Sequence, residues 1–345
     1  MTLQTLAARL GVSRSTVSNA FNRPDQLSDA LRTRILDAAD QLGYAGPDPA
    51  ARSLRSGRAG AIGLVQATLR YVIEDAANRL FLDGVVDVCE QEGLAIVLIP
   101  AGPGGGPLPD GHHGRPDALR TALVDGVILH CSANLAERRR VLADRRLPVV
   151  ILDGQPLGDD LFVGVDDEGG GAAAAGHVLA LGHRRLAVLS LDRAGAAGGM
   201  RAGVAQGRQR GYDRALAAAG IPASDVPVRP AAGLDVTEFT ALVRGLLAGA
   251  DRPTAILAMS DELAAGVVRV AHAMGLRVPH DLSVVGFDDS ATAFAVEPPL
   301  TTVRQDFTRK GRLAVRMLLG DVSEGRQVVL PVELVVRGST GPAPA

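Results

Sequence analysis

The sequence predicts a small all-α headpiece followed by an α/β body of two doubly wound parallel-sheet lobes. Three observations lead there. The first 45 residues carry three short amphipathic helical stretches separated by capping residues. From Ala59 onward, apolar runs of strand length alternate with stretches of helical period, the signature of parallel sheets covered on both faces. That body runs to about 280 residues, large for one doubly wound sheet, so two lobes are expected. Charge divides at the same boundary. Residues 1–60 hold eight Arg and five Asp, net +3, while the remaining 285 hold 28 basic and 33 acidic side chains, net −5.

In the headpiece, Thr2 can cap a helix through Leu3, Leu6, Ala7 and Leu10, and Gly11 can end it. Ser13 can cap a second helix running to Phe21, with Val17, Ala20 and Phe21 on one face. Asn22-Arg-Pro-Asp breaks it. Ser28 starts a third, with Leu31, Ile35, Leu36, Ala39 and Leu42 inward and Gly43 at its end. Two short helices around a tight turn with a third as buttress make a helix-turn-helix. The second helix exposes Arg14, Ser15, Ser18 and Asn19 opposite its apolar stripe. DNA reading and an ordinary solvated helix face both fit that pattern.

Gly46-Pro-Asp-Pro49 is a stiff break, followed by Ala50 to Gly57, one or two helical turns too short to be stable alone. Leu54 would be exposed there between arginines. Strands are expected at Ala61–Val65, Ala95–Ile99, Gly126–Leu129, Val149–Leu152, Leu186–Ser190, Ala255–Met259 and Leu282–Gly286. Helical period runs through Leu80–Glu92, Ala172–Leu181 and Glu262–Met274. Ligands on such sheets sit at the carboxyl ends of strands. Residues 101–117 are a Gly/Pro-rich excursion, read as a surface loop; its His112 and His113 lack further metal ligands at useful spacing.

Several function classes find no support. There is no phosphate-cradling G-x-x-x-x-G-K-[ST], no G-x-S-x-G and no H-E-x-x-H. Gly169-Gly170-Gly171 lacks dinucleotide-fingerprint spacing and reads as close helix-to-strand packing. Cys89 and Cys131 read as small core residues. No catalytic residue, metal site or cofactor is therefore expected. No apolar run reaches membrane-spanning length, and the first residues show no basic-then-apolar leader.

Taken in order, many short stretches resemble the LacI/GalR (lactose-repressor) family of bacterial transcriptional regulators. They begin with Leu6-Ala7-Ala8-Arg9-Leu10-Gly11-Val12-Ser13-Arg14-Ser15-Thr16-Val17-Ser18 and Leu42-Gly43-Tyr44. They continue through Ala51-Arg52-Ser53-Leu54, Val124-Asp125-Gly126-Val127-Ile128, Leu181-Gly182-His183-Arg184-Arg185 and Gly211-Tyr212. They close with Val278-Pro279 to Asp288-Asp289 and Pro299-Leu300-Thr301-Thr302-Val303.

The resemblance implies a helix-turn-helix headpiece over 1–45 and a linker with a hinge helix over 46–59. A two-lobed, periplasmic-binding-protein-like type I body spans 60–340 and carries effector binding and dimerisation. Lobe 1 is placed at about 60–160 and 291–322, lobe 2 at about 161–290 and 323–340. Arg14, Ser15 and Asn19 fall where the family reads base edges; Arg suits guanine and Asn adenine. Ser13, Thr16, Ser18 and Asn22 fall on phosphate-touching positions. Arg52 is counted with the DNA contacts, and Leu54 falls on the minor-groove wedge. For the effector, the resemblance points to Arg208 and Asp288, with Asp261, Asp167 and Tyr71. Ser260 and Asp167 stand where the family commonly has Asn. Asp75-Ala76-Ala77-Asn78 replaces a common aromatic-bearing stretch, and Phe287 reads as core.

The expected molecule is thus a cytoplasmic homodimer and a repressor. It binds a pseudo-palindromic double-stranded operator and answers to a sugar-like, polyhydroxylated effector. The body alone would equally suit a sugar-binding receptor without a DNA role, but export of such a receptor needs a leader. The tail after Gly338 shows no leucine heptads, so a coiled-coil tetramer is not expected.

Overall fold

The computed structural model describes residues 2–46, 57–66, 75–100, 118–130, 135–154, 156, 158–191, 202–231 and 233–344. The chain divides into two compact units, one ending at Gly60 and one beginning at Ala61.

In the first unit, α1 (Leu3–Leu10), α2 (Arg14–Asn22) and α3 (Asp29–Gln41) start where the sequence places caps. The side chains of Thr2, Ser13 and Ser28 accept from the backbone N–H three residues on. Gly11 ends α1 in the left-handed conformation, φ +68°. A short 3-10 turn over Pro24–Gln26 fills the expected break. Leu6, Ala7, Val17, Ala20, Ile35 and Ala39 form the core, one apolar stripe from each helix. The arginines of α3 also tie the helices together: Arg34 Nη2 donates to Leu10 O at 3.1 Å and Arg32 Nε to Ala20 O at 3.4 Å.

The second unit opens with β1 (Ala61–Gln66), α4 (Ala76–Glu92), β2 (Ala95–Pro100), α5 (Ala118–Thr121), β3 (Gly126–His130), α6 (Leu135–Asp144), β4 (Val149–Leu152) and β5 (Leu161–Val165). It continues with α7 (Asp167–Ala180), β6 (Leu186–Ser190), α8 (Ala202–Ala218), β7 (Val228–Pro230), α9 (Val236–Leu247), β8 (Ala255–Ala258), α10 (Asp261–Ala273) and β9 (Ser283–Val285). Last come β10 (Thr302–Arg304), α11 (Phe307–Leu318), β11 (Gln327–Leu330) and β12 (Glu333–Val335).

Two parallel sheets result. One has the order β11-β5-β4-β3-β1-β2 and the other β7-β6-β8-β9; β10 and β12 form a separate antiparallel pair. Strand pleating sends alternate residues to opposite cores. Ile62 and Leu64 face the layer of α4 and α11, while Ala61 and Val65 join Ile99, Val127 and Leu142 on the other side. In the second sheet, Leu186 and Val188 pack with Tyr212 and Phe287, and Ala187 and Leu189 with Val243 and Val267.

The chain passes between the two halves near Asp166, near Gln305 and near Val332, whose side chain touches both cores. This corrects the expected lobe limits. β5 and β11 belong to the first sheet, not the second lobe, and Leu300 and Val303 pack in the second lobe, not the first. The reason is edge pairing. β5 closes the free edge of β4 in register Val150↔Leu161, and β11 in turn covers β5, so segments distant in sequence complete one sheet.

The heptad-free tail lies along the second lobe. Ser339 is fully buried, its Oγ donating to Val284 O at 2.6 Å, and Ala343 N donates to Leu181 O at 2.9 Å. No helix among the described residues is long and apolar enough to cross a membrane. Residues 101–117, with His112 and His113, and also Cys131, lie outside the described residues.

Candidate functional site

Two surfaces carry the expected residues, and each is described on its own unit. On α2, Val17 and Ala20 are buried, which turns Arg14, Ser15, Ser18 and Asn19 away from the core. Ser15 and Asn19 are one turn apart on one row, as are Arg14 and Ser18. The hydroxyls are engaged locally. Ser13 Oγ lies 2.7 Å from both Ser15 Oγ and Thr16 Oγ1. Asn22 Nδ2 donates to Ser18 O at 2.9 Å and to Ser18 Oγ at 3.3 Å. Arg14 and Asn19 make no side-chain hydrogen bond among the described residues, so their donors are available to a partner. Arg52, Leu54 and Tyr71 lie outside the described residues.

In the body, polar side chains collect where strands of both sheets end, as doubly wound topology favours. Four non-glycine described residues have positive φ, and three of them are Asp153, Asp288 and Asp289, just past the ends of β4 and β9. Left-handed aspartates at strand ends are a recurrent mark of a built site.

The second-lobe wall centres on Arg208 of α8, which is 4% exposed. Its Nε donates to Asp167 Oδ1 at 2.9 Å and its Nη1 to Met259 O at 2.5 Å; Nη2 stands 3.8 Å from Asp288 Oδ1. The guanidinium stacks 3.5 Å over the Phe287 ring, which is fully buried core. Burial would weaken the Arg208 charge, but Asp167 and Asp288 outweigh it and hold the cation firmly. Burial pushes the Asp167 carboxyl above its usual range, with Arg208 opposing. Gln305, on the passage into α11, donates from Nε2 to Asp288 Oδ1 at 2.7 Å.

The glycines before this wall do more than the sequence suggested. Gly170 does abut Phe287 and Val303. Gly171, however, faces a helix: a Cβ there would stand 2.3 Å from Arg208 O. α7 and α8 therefore touch backbone to backbone, which brings Asp167 onto Arg208.

Asp261 lies two residues beyond Met259, and its N–H donates to Phe287 O at 2.8 Å. It is fully buried, its Oδ1 accepting from Thr302 Oγ1 at 2.6 Å and its Oδ2 from Ser290 N at 2.8 Å and Ser290 Oγ at 3.2 Å. Its carboxylate ties the segments after β9 and into β10 to α10. Ser260 caps α10.

The first-lobe wall was missed by the sequence reading. Lys310, the chain's single lysine, is 1% exposed on α11. It donates to both oxygens of Asp153, at 2.7 and 3.0 Å. Burial alone would raise the Asp153 carboxyl, but the Lys310 ammonium and His130 hold it well below the usual carboxylate range. His130 Nε2 stands 3.5 Å from Asp153 Oδ2, and its Nδ1 is 3.0 Å from Gln66 Nε2. An amide nitrogen only donates, so Nδ1 is the acceptor in that bond, and Nε2 faces Asp153. Gln66 Nε2 also donates to Asn78 Oδ1 at 3.1 Å. The signal existed in the sequence: Gln66, His130 and Asp153 each end or directly follow an apolar strand. Lys310 is a lone cation on the apolar face of its helix.

The two walls are close enough that Asp167 feels the charges of Asp153 and Lys310. By contrast, a surface groove of about 650 Å³ near the amino ends of β4 and β5 is lined by Arg139, Arg140, Arg326, Asp159 and Asp160. Its Arg139 and Asp160 pair with each other, and nothing in it is buried without a partner among the described residues. No cluster of metal-ligating side chains exists among the described residues.

Comparison with known proteins places both parts of the chain in known families. Residues 2–46 match the bacterial regulatory proteins of the lacI family, and residues 175–340 match a periplasmic binding protein-like domain. The HTH-type transcriptional regulator Rv3575c of Mycobacterium tuberculosis is 41% identical, over 100% of this chain and 98% of that protein. A lac repressor dimer bound to operator and the anti-inducer ONPF superposes with a TM-score of 0.78 at 26% identity, over 99% of each chain. A transcriptional regulator CelR–cellobiose complex superposes with a TM-score of 0.66 at 30% identity, over 98% of this chain and 99% of that one. The likeness thus runs through helix-turn-helix and two-sheet body alike, and the chain belongs to the lacI family as a DNA-binding transcriptional regulator.

Proposed function

We propose that the protein is a cytoplasmic, homodimeric repressor whose grip on a pseudo-palindromic operator is set by a small polyhydroxylated effector. The effector binds at the strand ends of the two lobes. The observation that carries this reading is one chain joining a helix whose Arg14 and Asn19 make no side-chain hydrogen bond among the described residues to a body where Asp153, Lys310, Arg208, Asp167 and Asp288 collect at the strand ends. Charged groups there make strong hydrogen bonds to hydroxyls. The operator and cellobiose carried by the two structural relatives support the same assignment. The reading is one of binding rather than turnover, and among the described residues no nucleophile is paired with a base at these strand ends.

Arg14, Ser15 and Asn19 read bases, while Ser13, Thr16, Ser18 and Asn22 exchange their local hydrogen bonds for phosphate oxygens. Arg52 and the Leu54 wedge complete the contact on the sequence pattern alone. Effector binding changes lobe closure and thereby the spacing of the two headpieces; this requires different affinity for the two lobe states.

Selection of bound sites from random duplexes tests the operator role. The wild type should enrich a two-fold-related sequence. Arg14→Ala should relax one symmetric position, with a loss of about 1–3 kcal/mol in discrimination there. An unchanged preference in the variant would remove Arg14 from base readout. No enrichment by the wild type would reject the whole reading.

A further inference from the structure

β9 is the last strand of the second sheet, and the chain after β12 covers it. Val284 N donates to Ser339 O at 2.8 Å, Thr301 N to Ser339 Oγ at 2.8 Å and Gly341 N to Ser283 Oγ at 3.0 Å. Residues 338–343 thus lie as a strap along the free edge of β9 and reach Leu181, just past α7. Ser283, Thr301 and Ser339 are fully buried beneath it. The strap continues directly from β12, and β12 pairs with β10 where the chain crosses between the two halves of the body. It therefore ties that joint to the second lobe.

Two histidines fasten the strap. His183 is fully buried; its Nε2 stands 3.0 Å from both Gly341 O and Ser283 Oγ, and its Nδ1 2.9 Å from Thr254 Oγ1. A carbonyl only accepts, so Nε2 donates to Gly341; in the neutral ring Nδ1 then accepts from the Thr254 hydroxyl. His177, half-buried on α7, places Nε2 2.9 Å from Thr340 Oγ1, which is itself 2.9 Å from Thr301 Oγ1.

The surroundings oppose a charge on either ring. Arg184 donates to Leu179 O and His183 O, Arg185 to Arg252 O, and Arg252 to Asp281 O. The Asp281 carboxylate is taken by Arg277, and Arg337, where the strap begins, is bonded to Asp289 and Leu300 O. Among the described residues no carboxylate lowers the cost of charging either ring, and His177 and His183 repel each other once charged. Burial holds both rings below their ordinary value of 6.5.

We propose that residues 338–343 are a strap released by acid, closed over β9 while His177 and His183 are neutral and opened as the two rings take up protons. On opening, each ring leaves its buried place and binds a proton more readily. The closed state is therefore fully favoured above pH 6.5 and loses favour as pH falls below that value. Each histidine multiplies the opening equilibrium by at most about tenfold per pH unit. At neutral pH the joint is held to the second lobe, and acid frees it.

Hydrogen exchange of the full-length protein, read by mass spectrometry between about pH 7.5 and about pH 5 and corrected for intrinsic rates, tests this. Peptides covering 282–286 and 338–344 should be protected at the upper end and should open by about tenfold to hundredfold per pH unit on acidification. Peptides of α4, in the other lobe, should not follow. His183→Gln keeps a donor for Gly341 O and an acceptor for Thr254 but cannot charge, and His177→Gln keeps a partner for Thr340. Either alone should cut the pH dependence to about tenfold or less per unit, and the two together should abolish it. Should His183→Gln not fold, His177→Gln carries the same comparison. A wild-type pH dependence in the substituted protein overturns the proposal. So does a strap unprotected at neutral pH, and so do α4 peptides that open in step with it.

Discussion

Asp261 is fully buried, with its carboxylate bonded by Thr302 and Ser290. Burial pushes its carboxyl up to about 6 despite hydrogen bonds from Thr302 and Ser290. A carboxyl raised in the fold holds its proton more tightly than in the unfolded chain. Its stabilising contribution is complete below about pH 4 and is lost as pH climbs through about 6. Asn suits the same pocket: its carbonyl can accept from Ser290 N, and its amide can donate to the Thr302 hydroxyl. Asp261→Asn should therefore fold and should remove a pH-dependent loss of about 3 kcal/mol between pH 4 and 7. Melting temperatures across that range check this. An unaltered slope in the variant would show that the charge of Asp261 is not what pH acts on.

Between elements, the decisive feature is the glycine seam of α7 and α8. A Cβ on Gly211 would stand 2.1 Å from Glu168 O, a backbone atom that cannot step aside. Gly211→Ala should cost about 1–3 kcal/mol or more and spread the helices that hold Asp167 against Arg208. Gly176, also inside α7, has nothing within 4 Å of its added Cβ. Gly176→Ala should instead stabilise by about 0.5–1 kcal/mol, through the lower entropy of the unfolded chain. Opposite signs in denaturant unfolding confirm close approach as the reason for the first glycine. Equal effects would mean that helix propensity alone is at work.

For the molecule as a whole, recognition and sensing are separable experiments. A wedge at Leu54 serves only a duplex that is kinked, so Leu54→Ala should lower operator affinity far more than affinity for random duplex. Titration of both duplexes at one salt concentration, because phosphate contacts vary steeply with salt, decides it. Equal loss on both would reject the wedge.

The three headpiece helices and their caps were legible residue by residue. Capping and amphipathic period are local chemistry, and Thr2, Ser13 and Ser28 need no distant partner to be recognised. Seven strands of the body, β1 to β4, β6, β8 and β9, were legible for the same reason, as apolar runs between turns; β5, β7, β10, β11 and β12 were not. The sequence also pointed to Arg208 and Asp288 through a family pattern. What only the tertiary structure decided is which distant segments meet. β11 joins β5 across more than 150 residues, and Lys310 finds Asp153 157 residues away. No local signal encodes such pairings, because they follow from sheet edges that must be covered and from a buried charge that must find its opposite.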